Sequence, residues 1–244
     1  MTEHAARRQT IPAAVAGRLK TAVFQLRVSA ARLVYDRILR SLVTDVEWCC
    51  RFYPMLDSDC AKQVLIVGPH SFAFALSFAT HYPEVCFVAV EPQGSQRYTR
   101  SAGRQGLNNV NFIEVPADAP LPFTHEAFDT IICNFALHRL MPANKIALLR
   151  GLAPLLRADG RLHVVELDRP ASVREGKMLG FAALLWGTDA VAPHFDYTWR
   201  KCLPPAGLRV LAHDRSFSIV AGRVSVIVAG HKRSGAKPMR RTQR

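Results

Sequence analysis

The chain has no run of about eighteen apolar residues, so no membrane-spanning helix is expected. The N-terminal stretch lacks a compact apolar segment of the kind that marks a secretory signal, so none is expected. Cysteine is sparse, and the six present (Cys49, Cys50, Cys60, Cys86, Cys133, Cys202) form no Cys-x-x-Cys and no paired ligand spacing. That argues for a reducing compartment and against a structural metal site. Acid is the scarcest charge: 19 Asp and Glu face 32 Lys and Arg, giving a net charge of +13. The excess is not spread evenly. Residues 1–40 hold eight basic residues against Glu3 and Asp36, and residues 231–244 hold six and no acid. The middle of the chain is therefore almost neutral, which is not the profile of a domain whose whole face grips nucleic acid. Basic ends suit a membrane surface, a tether, a targeting sequence or plain solubility.

What is present is a near-neutral, half-hydrophobic body long enough for one full core. Residues 1–10 are expected to be a disordered basic N-terminus, 11–60 a helical appendage, 61–231 the main domain and 232–244 a disordered basic tail. In the appendage, Leu19, Val23, Leu26, Ala30 and Leu33 recur at helical spacing and form one apolar stripe. The stripe drifts beyond Leu33, which predicts a kink or a second helix. It could pack on the main domain, lie on a membrane or line a dimer. An arginine-rich, acid-poor start also suits an organelle transit peptide if the source is eukaryotic; otherwise the expected location is cytoplasmic or membrane-peripheral.

From Val64 onward, β-branched runs alternate with helical patterns, the signature of a parallel sheet covered on both faces. Strands are predicted at 64–67, 85–90, 110–115, 128–133 and 162–167, with helices over 71–81, 95–105, 143–156 and 172–189. A terminal antiparallel hairpin is expected from 208–213 and 224–229. The first strand ends in Val67-Gly68-Pro69-His70-Ser71-Phe72. A nucleotide-binding turn at this place usually carries several glycines, because backbone must approach the ligand. Here Gly68 is alone.

Four segments carry a resemblance to a known family. Phe128-Asp129-Thr130-Ile131-Ile132-Cys133-Asn134-Phe135-Ala136-Leu137-His138 resembles the fourth strand and following loop of the class I S-adenosylmethionine-dependent methyltransferases. Leu152 to Leu162 resembles that family's helix, turn and fifth strand, with Ala158-Asp159 where Pro-Gly is usual. Ala117 to Phe123 resembles the acidic loop after strand three, and Ala206 to Val210 the entry to the final hairpin. Together these cover residues 60–230, and the flavour is that of the ubiquinone/menaquinone-biosynthesis and type 11 methyltransferases; Tyr35-Asp36 is similar to that group's entry helix. The resemblance implies an α/β, Rossmann-like doubly wound sheet with a C-terminal antiparallel hairpin. It implies S-adenosyl-L-methionine as cofactor and methyl transfer to a small or lipid-like acceptor.

It also implies roles for particular residues. Glu91 would accept hydrogen bonds from the ribose hydroxyls. Asp118 would take the adenine amino group, with Ala119 backbone beside it. Gly68 would let the first turn pass close to the methionine part, and Asn134 would line the methyl-donor side; His70, where the family has glycine, could contact the methionine carboxylate or be a histidine at a loop surface. Methyl transfer is in-line displacement at a sulfonium and rests largely on alignment, so a base is needed only when the acceptor must lose a proton. His138 is the best-placed base, with His194 and Tyr197 behind it. Ile66 stands where the family usually has an acid, and His70 and Phe72 replace glycines. A phenylalanine there could fill the methionine site. A non-catalytic methyltransferase-like domain acting as a binding or scaffold module is therefore the alternative. A dinucleotide oxidoreductase suits the sequence less, since a pyrophosphate depends more heavily on the missing glycines.

Overall fold

The computed structural model describes residues 13–43, 56, 61–117 and 119–232. The expected disordered ends, most of the 44–60 segment and Asp118 lie outside the described residues.

Seven strands form one sheet in the order β3-β2-β1-β4-β5-β7-β6. Strands β1 (Gln63–Val67), β2 (Cys86–Glu91), β3 (Val110–Glu114), β4 (Phe128–Asn134) and β5 (Leu156–Leu167) are parallel. Strands β6 (Leu208–Ile219) and β7 (Gly222–His231) are antiparallel, and β7 sits between β5 and β6. The strand order reverses at β1 and β4, and at such a switch point the loops leave in opposite directions and open a crevice.

Alternate residues of β1 feed two cores. Val64 and Ile66 pack with Phe72, Phe74 and Phe78 of helix α2 (Ser71–His81) on one face. Leu65 and Val67 pack on the other with Leu149 and Leu152 of α4 (Pro142–Leu152), and with Trp199. A strand buried on both faces must be apolar at every position, which is why β1 reads as a continuous run. Between α2 and α4 lies α3 (Ser95–Arg104); α5 (Val173–Trp186) and the short α6 (Thr188–Val191) follow β5. Ser172 caps α5, accepting from Glu175 N while Glu175 accepts from Ser172 N, a reciprocal pair that fixes the helix start.

Three expectations need correction. Helix α1 (Ala13–Val43) runs through Leu33 without a break. The face it turns to the domain is not the stripe that spacing selected. Leu26 and Leu33 are 75% and 66% exposed, whereas Tyr35 and Leu39 are buried, with Val28 and Ala31 packed beside them. Arg32 settles the rotation by donating to Leu185 O of α5, and Asp36 does so by pairing with Arg139. Strand β5 begins at Leu156, before Asp159-Gly160, and accommodates that pair as an irregularity in its register with β4. The hairpin strands are longer than expected and meet at Val220-Ala221, because β6 continues through its polar residues opposite buried β7.

Candidate active site

A cleft of about 620 Å³ opens at the carboxyl ends of β1, β2 and β4, within the usual range for small-molecule sites. Gly68 begins its floor at φ 113°. A Cβ there would stand 2.0 Å from Asn134 O, so this turn can cross the end of β4 only with glycine. His70, also in the left-handed region at φ 64°, leads into α2 and lines the cleft. A side chain in that conformation costs about 1 kcal/mol or more. Burial lowers its pKa to about 4, and Nε2 is buried with no hydrogen-bond partner among the described residues.

Phe72 does not fill the cleft. It points into the core, with ring centroids 5.7 Å from Tyr98 and 5.4 Å from Phe112. Ile66, where an acid was usual, is likewise wholly buried. Ile66 and Phe72 belong to the core, His70 lines the cleft, and the space beside Gly68 stays open.

Glu91 lines the cleft from the end of β2. Its Oε1 accepts from Phe72 N at 2.7 Å and, weakly, from Ser71 Oγ at 3.5 Å. Burial raises its pKa, and the Phe72 N–H opposes that rise. Oε2 has no protein donor among the described residues. The neighbouring Pro92-Gln93 wall is set by Glu114, whose Oε1 accepts from Gly94 N, Ser95 N and Ser95 Oγ, each at 2.8 Å. Ala119 lines the cleft from the loop after β3. Asn134 does not. It is fully buried beneath the first turn, donating from Nδ2 to Pro69 O at 3.4 Å.

His138 lies in a 3-10 turn after β4 (Leu137–Arg139) and has no exposed surface. Its neighbours Ala136 and Arg139 line the cleft. His138 Nδ1–H donates to Glu166 Oε1 at 2.6 Å, and Nε2 is buried without a partner among the described residues. Burial favours the neutral imidazole, while Glu166 pulls the other way. Glu166, in β5, is the residue that sequence reasoning missed. Burial alone would push its pKa up, but His138 and backbone N–H groups bring it down to about 2. Those donors are Leu137 N (2.6 Å), His138 N (3.2 Å) and Leu167 N (2.7 Å). The result is a neutral histidine with one nitrogen fixed as donor and the other left as a base.

Behind the pair, His194 Nδ1–H donates to Leu167 O at 2.8 Å, so its Nε2 accepts from Lys145 Nζ at 3.0 Å. Lys145 also donates to Leu137 O and Ala190 O at 2.7 and 2.6 Å. His194 is thus a structural partner of a buried ammonium rather than a second base. Tyr197 flanks Arg200, whose guanidinium lies 4.2 Å from its ring centroid. Tyr35 and Trp186 cover His138, at centroid distances of 6.1 and 5.3 Å.

Residues 64–160 match the family model of a methyltransferase domain. Over these residues the chain is similar to methyltransferase domains. Over 108 residues it is 30% identical to the uncharacterized methyltransferase YcgJ of Bacillus subtilis (strain 168), covering 44% of this chain and 42% of that protein. It is 32% identical over 108 residues to the ubiquinone/menaquinone biosynthesis C-methyltransferase UbiE of Edwardsiella ictaluri (strain 93-146), covering 44% and 35% respectively. The chain thus spans less than half the length of these curated relatives. Among solved structures, the mitomycin 7-O-methyltransferase MmcR superposes with TM-score 0.61 at 18% identity, over 85% of this chain and 60% of that one. The O-methyltransferase NcsB1, in complex with S-adenosyl-L-homocysteine and 1,4-dihydroxy-2-naphthoic acid, gives 0.63 at 18%, over 81% and 57%. The methyltransferase domain accounts for the strand order and for the position of the cleft.

Proposed function

We propose that this chain catalyses S-adenosylmethionine-dependent methyl transfer to a hydroxyl of a small acceptor. The observation that carries the proposal is the buried His138–Glu166 pair, which leaves His138 Nε2 as a base beside a cleft of cofactor size.

The cleft fits the cofactor. Gly68 provides a cradle that a Cβ would fill, Glu91 keeps one oxygen without a protein donor, and His70 keeps an unpartnered buried nitrogen. Glu91 would accept from the ribose hydroxyls, Ala119 would lie beside the adenine, Gly68 would let the turn pass along the methionine part, and His70 would meet its carboxylate. Asn134 acts from below, by holding Pro69 and hence the turn. When bound, the cofactor supplies an electrophilic methyl group on a sulfonium. His138 Nε2 takes the proton of the acceptor hydroxyl, and Glu166 stabilises the imidazolium that forms. Backbone N–H donors already hold the Glu166 carboxylate, so it stays ionised throughout.

The open cleft and the unpartnered base weigh against a non-catalytic scaffold. A lipid-like acceptor has narrower support: the outward stripe of α1, with Leu26 and Leu33 beside exposed Arg27 and Arg37, suits peripheral contact with an anionic membrane. No helix among the described residues is long and apolar enough to cross a membrane. The test is transfer of labelled methyl from the cofactor to a panel of hydroxylated aromatics. His138→Asn should lower transfer by about 10²- to 10⁴-fold with cofactor affinity unchanged. Equal transfer by the variant would remove His138 from the chemistry.

A further inference from the structure

Two adjacent pairs of residues meet beside the cleft: Tyr35-Asp36 on α1 and His138-Arg139 on the 3-10 turn, with Asp36 and Arg139 lining the cleft and Tyr35 and His138 buried behind them. Trp186, at the end of α5, touches three of the four. It lies 4.8 Å from the Tyr35 ring and 5.3 Å from the His138 ring, and the Arg139 guanidinium carbon stands 4.8 Å from its centroid. Three of the polar atoms buried in this cluster have no partner among the described residues: Tyr35 Oη, His138 Nε2 and Arg139 Nε. Native interiors rarely leave such groups unpaired, and a cluster of three calls for a ligand that pairs them.

Their chemistry restricts that ligand. His138 gives its Nδ1–H to Glu166, so Nε2 can only accept and needs a hydroxyl. Arg139 Nε–H can only donate and needs an oxygen. The Tyr35 hydroxyl can do either. Arg139 already shows which oxygen it takes: its Nη2 donates to the Asp36 carboxylate at 2.7 Å. That carboxylate comes from α1, is partly exposed, and lines the same cleft. A guanidinium offers Nε and Nη as a fork matched to two carboxylate oxygens, and Asp36 uses one prong. Local charge agrees, since the charges acting on His70 at the mouth are those of Asp36 against three guanidinium groups, Arg139, Arg40 and Arg97.

We propose that Arg139 is the anchor for the acceptor's carboxylate, and that the acceptor is a hydroxylated carboxylic acid lying in the cleft with its carboxylate on Arg139 and its hydroxyl directed to His138 Nε2. This rests on the methyl-transfer reading above and narrows its substrate class. In the ligand-free chain Asp36 occupies part of the anchor, so an incoming carboxylate competes with it. Asp36 is thereby a specificity residue as well, because a neutral acceptor has nothing to exchange for the Asp36 contact.

The test is calorimetric titration of the full chain, first with S-adenosylhomocysteine and then, in its presence, with 1-hydroxy-2-naphthoate, 3-hydroxy-2-naphthoate and 4-hydroxybenzoate, each against the phenol or naphthol lacking the carboxyl group. At least one acid should bind about tenfold or more tighter than its neutral counterpart, as expected for a charge-assisted pair. Arg139→Gln should bring that ratio to about one. Asp36→Asn should tighten the acid by roughly three- to tenfold and leave the naphthol unchanged. Circular dichroism and the urea unfolding midpoint serve as the fold control for both variants. Neutral counterparts binding as well as the acids, no acid binding to a chain that binds S-adenosylhomocysteine, or a ratio that survives in Arg139→Gln would each overturn the anchor. Acid binding without S-adenosylhomocysteine binding would sustain the anchor and sink the cofactor reading instead.

Discussion

Replacing Glu166 with glutamine changes one atom and should be costly. Each carboxylate oxygen accepts two donors: Oε1 from His138 Nδ1 and Leu167 N, Oε2 from Leu137 N and His138 N. Turned one way, the NH2 of Glu166→Gln meets Leu137 N–H and His138 N–H; turned the other way it meets Leu167 N–H and His138 Nδ1, which can pass its proton to Nε2 and accept. One or two buried donors then lose their acceptor at about 1–3 kcal/mol each, so unfolding free energy should fall by roughly 1–6 kcal/mol. For a chain of this size that is a drop in melting temperature of about 2–20 °C. The assay is urea unfolding of the purified full chain followed by circular dichroism, beside His138→Asn, which removes only one of the four donors. Glu166→Gln should be the more damaging of the two. A loss below about 1 kcal/mol in Glu166→Gln would refute the four-donor arrangement, and with it the fixed tautomer of His138.

Three further outcomes follow from other parts of the site. Gly68→Ala should destabilise the chain by about 3 kcal/mol or more and abolish cofactor binding, because its Cβ would overlap Asn134 O; a variant that melts and binds as the native chain does would show that the turn is placed differently. Stability should fall on acidification from about pH 6.5 to about pH 4. Burial holds His194 neutral with a folded-state pKa of about 4, below its unfolded value, so the unfolded chain binds the extra proton first and stability present above pH 6.5 is lost as pH falls, by up to about 3 kcal/mol. Urea midpoints across that range measure it, and His194→Gln should flatten the slope. The outward face of α1 should bind phosphatidylserine vesicles, with binding lost from low to high salt; equal sedimentation with neutral vesicles would point away from the exposed arginines.

The sheet was legible because β1, β2 and β4 are β-branched runs bounded by glycine, proline or asparagine, and such runs have few alternatives once they alternate with helices. The cofactor wall was legible for the same reason: Glu91 and Gly68 sit at strand ends, where a parallel sheet presents its ligand. The rotation of α1 was not. That helix has two apolar stripes, and the choice between them is made by Arg32, Tyr35 and Asp36, whose partners lie more than a hundred residues away. Phe72 misled for a related reason: its position in the turn suggested the cleft, but the left-handed His70 redirects it into the core beside Tyr98 and Phe112. Glu166 went unseen because it stands in Leu162-His163-Val164-Val165-Glu166-Leu167, which reads as buried strand. The signal was available all the same. An ionisable side chain inside a buried run must have partners, and the nearest loop that could supply them is the one carrying His138.

The most direct measurement of the central claim is titration of the purified chain with S-adenosylhomocysteine, beside Glu91→Ala. Micromolar binding to the native chain, weakened by roughly 1–3 kcal/mol in the folded variant through loss of charge-assisted hydrogen bonds, is the predicted result. A native chain that is folded and shows no binding, or a Glu91→Ala variant that binds equally well, would contradict the cofactor cleft described above.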